Sequence, residues 1–455
     1  MYNKTNIVIL AAGNSNRMLS ATNKVLHKIA NKPLIQYVIE TSIKFNPKTI
    51  NIVHKNDLKE IKKKFNNYNL NWIVQKKQLG TGNAIKSAIP YIKNNEKILI
   101  LYADVPLISV KTLNKLYKNK AKNGISLITT TISDPSGYGR IIRKKNKVIK
   151  IIEEKDANKK QLSIKEINTG IILISNILLK KYLNRIKNKN RQKEYFITDI
   201  ISIAYKDKCN IKTITPIKNI EVIGINNKYQ LSYLEHIYQK NQAKKISMNG
   251  VIIKDLNKFN LRGNLKHGED VEIDINVILE GKIKLGNRVK IGAGCIIKNS
   301  KIYDDCIIHP YTIIEYTTIY EKCIIGPFAY LHTNTIIKKK TNIGKFIEIK
   351  KTTINKKSKA GHLSYLGNAK IGSRVNIGAG TITCNYNGLN KFKTIIENNV
   401  FIGADSQLIA PIKIKKGATI AAGTTVIKNV KKNTLVYNKK KEKYKIEWKI
   451  KKKKI

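Results

Sequence analysis

Three places in this 455-residue chain set residue types at spacings that chemistry uses. The first is an apolar run, Ile7 to Ala12, that ends in Gly13-Asn14-Ser15-Asn16-Arg17-Met18 and is followed by Lys24-Val25-Leu26. A buried strand, a small-residue loop and then basic side chains is how backbone N–H groups and cations are turned toward phosphate oxygens. The same residues also read as an ordinary β–α turn with solvated surface cations. The second is Ile98 to Ala103, a buried strand that ends on Asp104-Val105-Pro106. Ligands of open α/β sheets sit beyond the C-terminal ends of the strands, and a carboxylate there suits a hard cation such as Mg²⁺. Read structurally, the same Asp is a helix cap. The third is His362, within Lys359-Ala360-Gly361-His362-Leu363-Ser364-Tyr365. An imidazole with a reference pKa of about 6.5 suits a general base near neutral pH. A lone loop histidine also reads as a surface or capping residue.

Regular elements must hold these groups in place. Ile50 to Val53 and Trp72 to Gln75 read as further strands separated by lysine-rich helices, and Leu79-Gly80-Thr81-Gly82 opens a helix over Asn83 to Ala88. This pattern predicts an α/β domain over residues 1–226. Leu231, Leu234, Ile237 and Tyr238 then recur at helical spacing, which predicts a linker helix within 227–247. Beyond it the period changes to six. Aliphatics fall at Ile273, Leu279, Leu285, Ile291 and Ile297, then at Ile307, Ile313, Ile319, Ile325, Leu331, Ile337, Ile343 and Ile349. They return at Ile396, Ile402, Leu408, Ile414, Ile420 and Val426. That is the hexapeptide signature of a parallel β-helix, expected over 248–455 with coils to about Val430. The period breaks at Lys350 to Leu366 and at Thr383 to Phe392, and breaks in a repeat predict loops on a binding face.

Composition narrows the partners. Lys and Arg number 87 against 30 Asp and Glu, a net charge of +57 that invites a nucleic-acid reading. The lysines are spread through the chain, however, and no RNP motif, helix-turn-helix or aromatic–basic ladder accompanies them. Local concentration occurs only in the tail from Lys428, with thirteen lysines against two acids, and such a run is usually a solvated face. No nucleic-acid partner is expected. Five cysteines without CxxC spacing predict free thiols in a reducing, cytoplasmic setting, with Cys295 packed inward. No apolar run reaches about 18 residues and the N-terminal run reads as a strand, so neither membrane insertion nor a signal peptide is expected.

Taken together, LAAGNSNRM, Lys24-Val25-Leu26, QLGTG, Asp104-Val105-Pro106, Gly137-Tyr138-Gly139-Arg140 and Glu166-Ile167-Asn168-Thr169-Gly170 resemble the sugar-nucleotide pyrophosphorylases. With a hexapeptide β-helix following, the chain resembles the bacterial GlmU family along nearly its whole length. Those are bifunctional N-acetylglucosamine-1-phosphate uridylyltransferases and glucosamine-1-phosphate acetyltransferases. The resemblance implies a Rossmann-like nucleotidyltransferase domain before a left-handed β-helix, a homotrimer, Mg²⁺ as cofactor, and UTP and acetyl-CoA as co-substrates. It implies that Leu10, Ala11, Ala12 and Gly13 line the nucleotide, with Arg17 and Lys24 acting on its phosphates. Gln75, Gly80 and Thr81 would face the base. Tyr102, Ala103, Asp104, Gly139, Glu153, Asn168 and Asn226 would contact the sugar phosphate, and Asp104 and Asn226 would hold the metal. In the second half it implies His362 as base, oriented by Glu348. His332, Lys350, Tyr365 and Asn376 would surround the acceptor, and Ala379, Asn385, Tyr386, Ala404, Ala422 and Lys439 the acetyl-CoA. The chain departs from the family pattern at Ser15 and Ala103, where glycines are usual, and at Ile223, where an acid is common. It departs again at His332, Ala404 and Lys439, which stand where arginine, serine and arginine are usual. A neutral imidazole does not supply the charged fork of an arginine.

Overall fold

A computed structural model of the protein describes residues 4–13, 16–55, 58–439 and 442–448. Asn14 and Ser15 of the small-residue loop, and the last lysines of the tail, lie outside the described residues. The chain divides into two compact units, residues 1–235 and 236–455.

The first unit is built on nine strands: β1 (Thr5–Leu10), β2 (Thr49–His54), β3 (Leu70–Val74), β4 (Lys97–Tyr102), β5 (Ile125–Thr131), β6 (Arg140–Lys144), β7 (Lys147–Ile152), β8 (Glu166–Ser175) and β9 (Ile211–Ile214). They form one sheet in the order β9-β5-β8-β4-β1-β2-β3, with the β6–β7 hairpin joined through β8. β1 runs parallel to both β2 and β4, whereas β8 is antiparallel to β4 and β5. All six residues of β1 are buried because both sheet faces are covered. Alternation sends Ile7 and Ile9 to one core and Val8 and Leu10 to the other. Helix α1 (Leu34–Phe45) covers the Ile7 side through Ile35, Val38 and Ile39. The helix that follows the QLGTG stretch, α2 (Thr81–Ala88), covers the Val8 side through Ala84, Ile85 and Ala88. A long helix, α3 (Lys228–Met248), occupies the predicted linker and contains the division between the units.

The second unit is a parallel β-helix. An 11-stranded ladder runs from Ile252–Ile253 to Leu435–Val436, and a 17-stranded sheet runs from Phe259–Lys266 to Thr425–Val426. Equivalent aliphatics stack inward: Ile291 pairs with Ile308, Ile308 with Ile325, and Ile325 with Ile343. Those pairs are 17, 17 and 18 residues apart, so the period is not uniformly six. A 17-residue coil has one five-residue side, as from Ile297 to Ile302 and from Ile314 to Ile319.

This slip corrects two readings. Ile307 and Ile313 are 37% and 36% exposed, and the inward residues are Ile308 and Ile314. Both misassigned positions lie between two five-residue sides, and the second slip returns the count to register at Ile319. The expected loop at Lys350 to Leu366 is likewise a regular coil, with Ile354, Ala360 and Leu366 all buried and paired to their neighbours. A five-residue side and an alanine at an inward position masked its rhythm. The break at Thr383 to Phe392 is a true insertion, since Ile377 pairs with Ile402, 25 residues on. All five cysteines are free, and Cys295 is fully buried as an inward residue. Among the described residues no helix is long and apolar enough to cross a membrane.

Candidate functional sites

Strand register creates the first site. Leu10, the last residue of β1, lies between Tyr102 at the end of β4 and Val53 in β2. The stretch Ala11 to Gly13 and the stretch Ala103 to Asp104 therefore leave the sheet side by side, tied by bonds from Ala103 N to Leu10 O (3.0 Å) and from Ala11 N to Val53 O (2.8 Å). Ile225 N donates to Asp104 O at 3.0 Å, which fastens a segment more than a hundred residues downstream against this edge. Asn226 follows immediately. Lys24 opens a short 3₁₀ turn in which the Asn23 side chain accepts from Val25 N at 3.1 Å.

Four side chains meet here. Lys24 Nζ is ion-paired to Asp104 Oδ2 and also donates to Asn226 Oδ1 at 2.8 Å. Arg17 donates to the same Asn226 oxygen at 2.8 Å. Lys24 and Asp104 are 12% and 21% exposed, so the pair is shielded yet open to a ligand. Among the described residues no group of three or more His, Cys, Asp or Glu side chains could hold a metal. The expected donor pair is one carboxylate and one amide oxygen, and both already converge on a single cation. That is the donor chemistry of an Mg²⁺ that keeps most of its waters.

Beside this cluster, Asn168 N donates to Gly139 O at 2.8 Å, and Asn168 Oδ1 accepts from Gly170 N at 3.1 Å. Gly170 has φ of +80°, and a Cβ there would sit 2.4 Å from the Tyr102 ring, so only glycine lets the tyrosine lie against this bulge. Burial, with the nearby carboxylates of Glu153 and Asp104, pushes the Tyr102 phenol well above its ordinary range. Burial also raises the Glu153 carboxyl, although Thr198 Oγ1 donates to Glu153 Oε1 at 2.9 Å. Asp199, next to Thr198, is pushed up to about 6 by burial and by Asp156. Thr198 and Asp199 carry no motif that sequence reading used; they reach Glu153 only through the fold.

Gln75 is buried and donates to Asn83 Oδ1 at 2.9 Å. The QLGTG stretch closes on the backbone of Tyr195: Gly82 N donates to Tyr195 O at 2.7 Å, and a Cβ on Gly80 would lie 2.7 Å from that oxygen. Thr81 Oγ1 accepts from Ile197 N at 3.0 Å.

Four residues of the second set lie along one corner of the β-helix. Leu363 N donates to Lys345 O, Gly380 N to Leu363 O, Asp405 N to Ala379 O and Gly423 N to Ala404 O, all between 2.7 and 3.1 Å. His362, Ala379, Ala404 and Ala422 thus occupy equivalent places in successive coils, one residue before each left-handed corner. His362 is exposed at the end of the strand Lys359–His362. Lys350 and Tyr365 lie on the adjoining face, where Lys350 pairs with His332 and Gly367, and Tyr365 with Glu348. Asn376 is paired instead with Lys359, at the other end of the His362 strand. Asn385 and Tyr386 sit in the insertion; Asn385 is buried and Tyr386 is exposed, its hydroxyl donating to Gly388 O. Lys439 is exposed beyond the last strand. Glu348, expected beside His362, faces His332. Its Oε1 lies 3.1 Å from His332 Nε2, while His332 Nδ1 lies 3.0 Å from Thr333 Oγ1 and the ring stacks on Tyr330 at 4.2 Å. A separate cavity of about 380 Å³, lined by Tyr320, Glu321, Lys338, Lys339, Asn355, Lys356 and Ser373, involves none of these residues.

Comparison with known proteins places residues 7–155 in similarity to the MobA-like NTP transferase domain. Residues 261–354 match the GMPPB C-terminal domain, and residues 393–428 match the bacterial transferase hexapeptide of six repeats. Among solved structures, the chain is similar to a nucleotidyl transferase from Methanothermobacter thermautotroptrophicus at 13% identity and a TM-score of 0.39. That match covers 52% of this chain and 99% of the other. A UDP-glucose pyrophosphorylase complexed with UDP-glucose is similar at 19% identity and a TM-score of 0.43, covering 53% of this chain and all of that one. The chain therefore joins an N-terminal nucleotidyltransferase α/β domain to C-terminal hexapeptide repeats.

Proposed function

We propose that the protein makes UDP-N-acetylglucosamine in two steps, acetylating glucosamine 1-phosphate in the second unit and transferring uridylate from UTP to the product in the first. The observation that carries the first activity is the meeting of Arg17, Lys24, Asp104 and Asn226 beside the Ala11 to Gly13 edge. In uridylyl transfer the attacking phosphate oxygen is already anionic, so the chain needs no nucleophile or general base of its own. Alignment and positive charge do the work. Arg17 and Lys24 offset the phosphate charge, the 78–82 stretch and Gln75 bound the nucleotide base, and Tyr102, Gly139, Glu153 and Asn168 bound the sugar. Asp104 and Asn226 would hold Mg²⁺, which when bound supplies further neutralisation of the triphosphate.

In acetyl transfer, His362 takes the proton of the attacking amine, with Lys350 and Tyr365 across the corner as acceptor contacts. The small residues Ala379, Ala404 and Ala422, stacked along the same column, leave room for acetyl-CoA beside it. We place the protein in the cytoplasm as a homotrimer, the assembly usual for hexapeptide repeats.

Two assays test this. Pyrophosphate release from UTP and N-acetylglucosamine 1-phosphate should fall by on the order of 10²-fold or more in Lys24→Ala. CoA thiol release from acetyl-CoA and glucosamine 1-phosphate should fall by roughly 10²- to 10⁴-fold in His362→Ala. One observation favours a second reading, a uridylyltransferase whose β-helix only assembles the protein. His332, standing where the resembled family carries arginine, is already engaged with Glu348. No CoA release from wild-type protein that still converts UTP would select that reading.

A further inference from the structure

We propose that Lys24 is a built-in counter-ion for the metal position, so that a divalent cation and the Lys24 ammonium compete for the same two oxygens. The inference rests on the proposed nucleotidyl-transfer reading for the identity of the site, but not on which nucleotide is used. The same ammonium that pairs with Asp104 Oδ2 also donates to Asn226 Oδ1 at 2.8 Å. Both oxygens proposed to hold the metal are thus turned toward one positive charge, in a pocket where lysine and carboxylate are 12% and 21% exposed. Arg17 adds a second cation to the Asn226 oxygen, at 2.8 Å. Among the described residues no further His, Cys, Asp or Glu joins them to make a three-ligand metal group.

Two like charges cannot share such a position without repulsion of several times the thermal energy at the effective dielectric of a half-buried site. In the free protein the divalent ion must therefore displace Lys24, and its affinity is reduced by that amount. A phosphate chain removes the conflict, because Lys24 can leave Asp104 for a phosphate oxygen at the adjacent loop. Metal and nucleotide then bind with positive coupling, each favouring the other. The chain gains a safeguard: without a nucleotide the metal position is closed.

The test is direct Mn²⁺ binding to the full chain in the absence of nucleotide, followed by loss of the free-ion electron paramagnetic resonance signal. Lys24→Met should bind Mn²⁺ about tenfold or more tightly than wild type, and Lys24→Gln should behave likewise. Lys24→Arg, which keeps the cation, should stay near wild type. Adding Asp104→Asn to Lys24→Met should return binding to the weak level. Equal affinity in wild type and in both neutral variants overturns the proposal, and so does tight binding that survives Asp104→Asn. Thermal midpoints matched to wild type identify the neutral variants fit to compare. Because the readout is ion binding, a protein that prefers another nucleotide to UTP fails the assay of the preceding section yet still passes this one.

Discussion

Asp199 is one of the groups near the proposed sugar pocket whose charge state the fold disturbs. Its carboxyl is pushed up to about 6 by burial and by Asp156, so the folded protein holds this proton more tightly than the unfolded chain does. Stability from this group is full below the ordinary carboxylate range near 4 and is lost as pH rises toward about 6. Asp199→Asn should flatten that part of the curve, narrowing the fall in melting temperature between pH 4 and pH 7 in a thermal titration. An unchanged slope would count against a raised Asp199 pKa. His332 gives a second prediction at this scale. With Nε2 facing Glu348 and Nδ1 facing Thr333, it has a neighbour for both ring nitrogens and no fork to offer a phosphate. His332→Arg should lower KM for glucosamine 1-phosphate by about tenfold, the order of one charge-assisted hydrogen bond, with kcat changed less. Asp104 was legible in sequence because it follows a buried strand, whereas His362 was singled out by an apparent break in period that is a regular coil. Thr198 and Asp199 were not legible, because their link to Glu153 crosses 45 residues and is made by packing, not by local pattern.

Coils carry the second lesson. A six-residue rhythm was enough to identify the β-helix, since inward aliphatics fall in register through Ile273 to Ile297 and again through Ile396 to Val426. It failed locally because a five-residue side looks, in a chain crowded with isoleucine, like continued periodicity one residue out of phase. A paired substitution separates the two registers. Ile308→Ala, at 1% exposure, should cost about 2–5 kcal/mol in denaturant unfolding. Ile307→Ala, at 37% exposure, should fall near the ~0.5 kcal/mol typical of surface changes. Equal costs would return the coil to the uncorrected phase. In the first unit, continuous apolar runs announced β1 and β4 because both faces of those strands are buried. The antiparallel β8 was less visible as a strand: its early residues, Asn168 to Gly170, are polar or small and form a bulge.

The whole chain contains two compact units with separate hydrophobic cores. Each buries enough apolar surface to unfold as its own cooperative element. Calorimetry should resolve two transitions, with UTP and Mg²⁺ raising one and acetyl-CoA the other, since a ligand stabilises only the unit that binds it. A single transition moved equally by both ligands would contradict this. The uneven coil length also bears on how such a gene can change. Gain or loss of 17 or 18 codons removes or adds one whole storey and leaves every remaining aliphatic facing inward. Loss of a single codon within a strand turns the rest of that side outward. The insertion between Ile377 and Ile402 shows the other tolerated course, in which added length is thrown outside the stack and the pairing of the coils above and below is kept. Inheritance in this half of the protein is therefore quantised: the heritable unit of length is the storey, and the corners are where departures from it are absorbed.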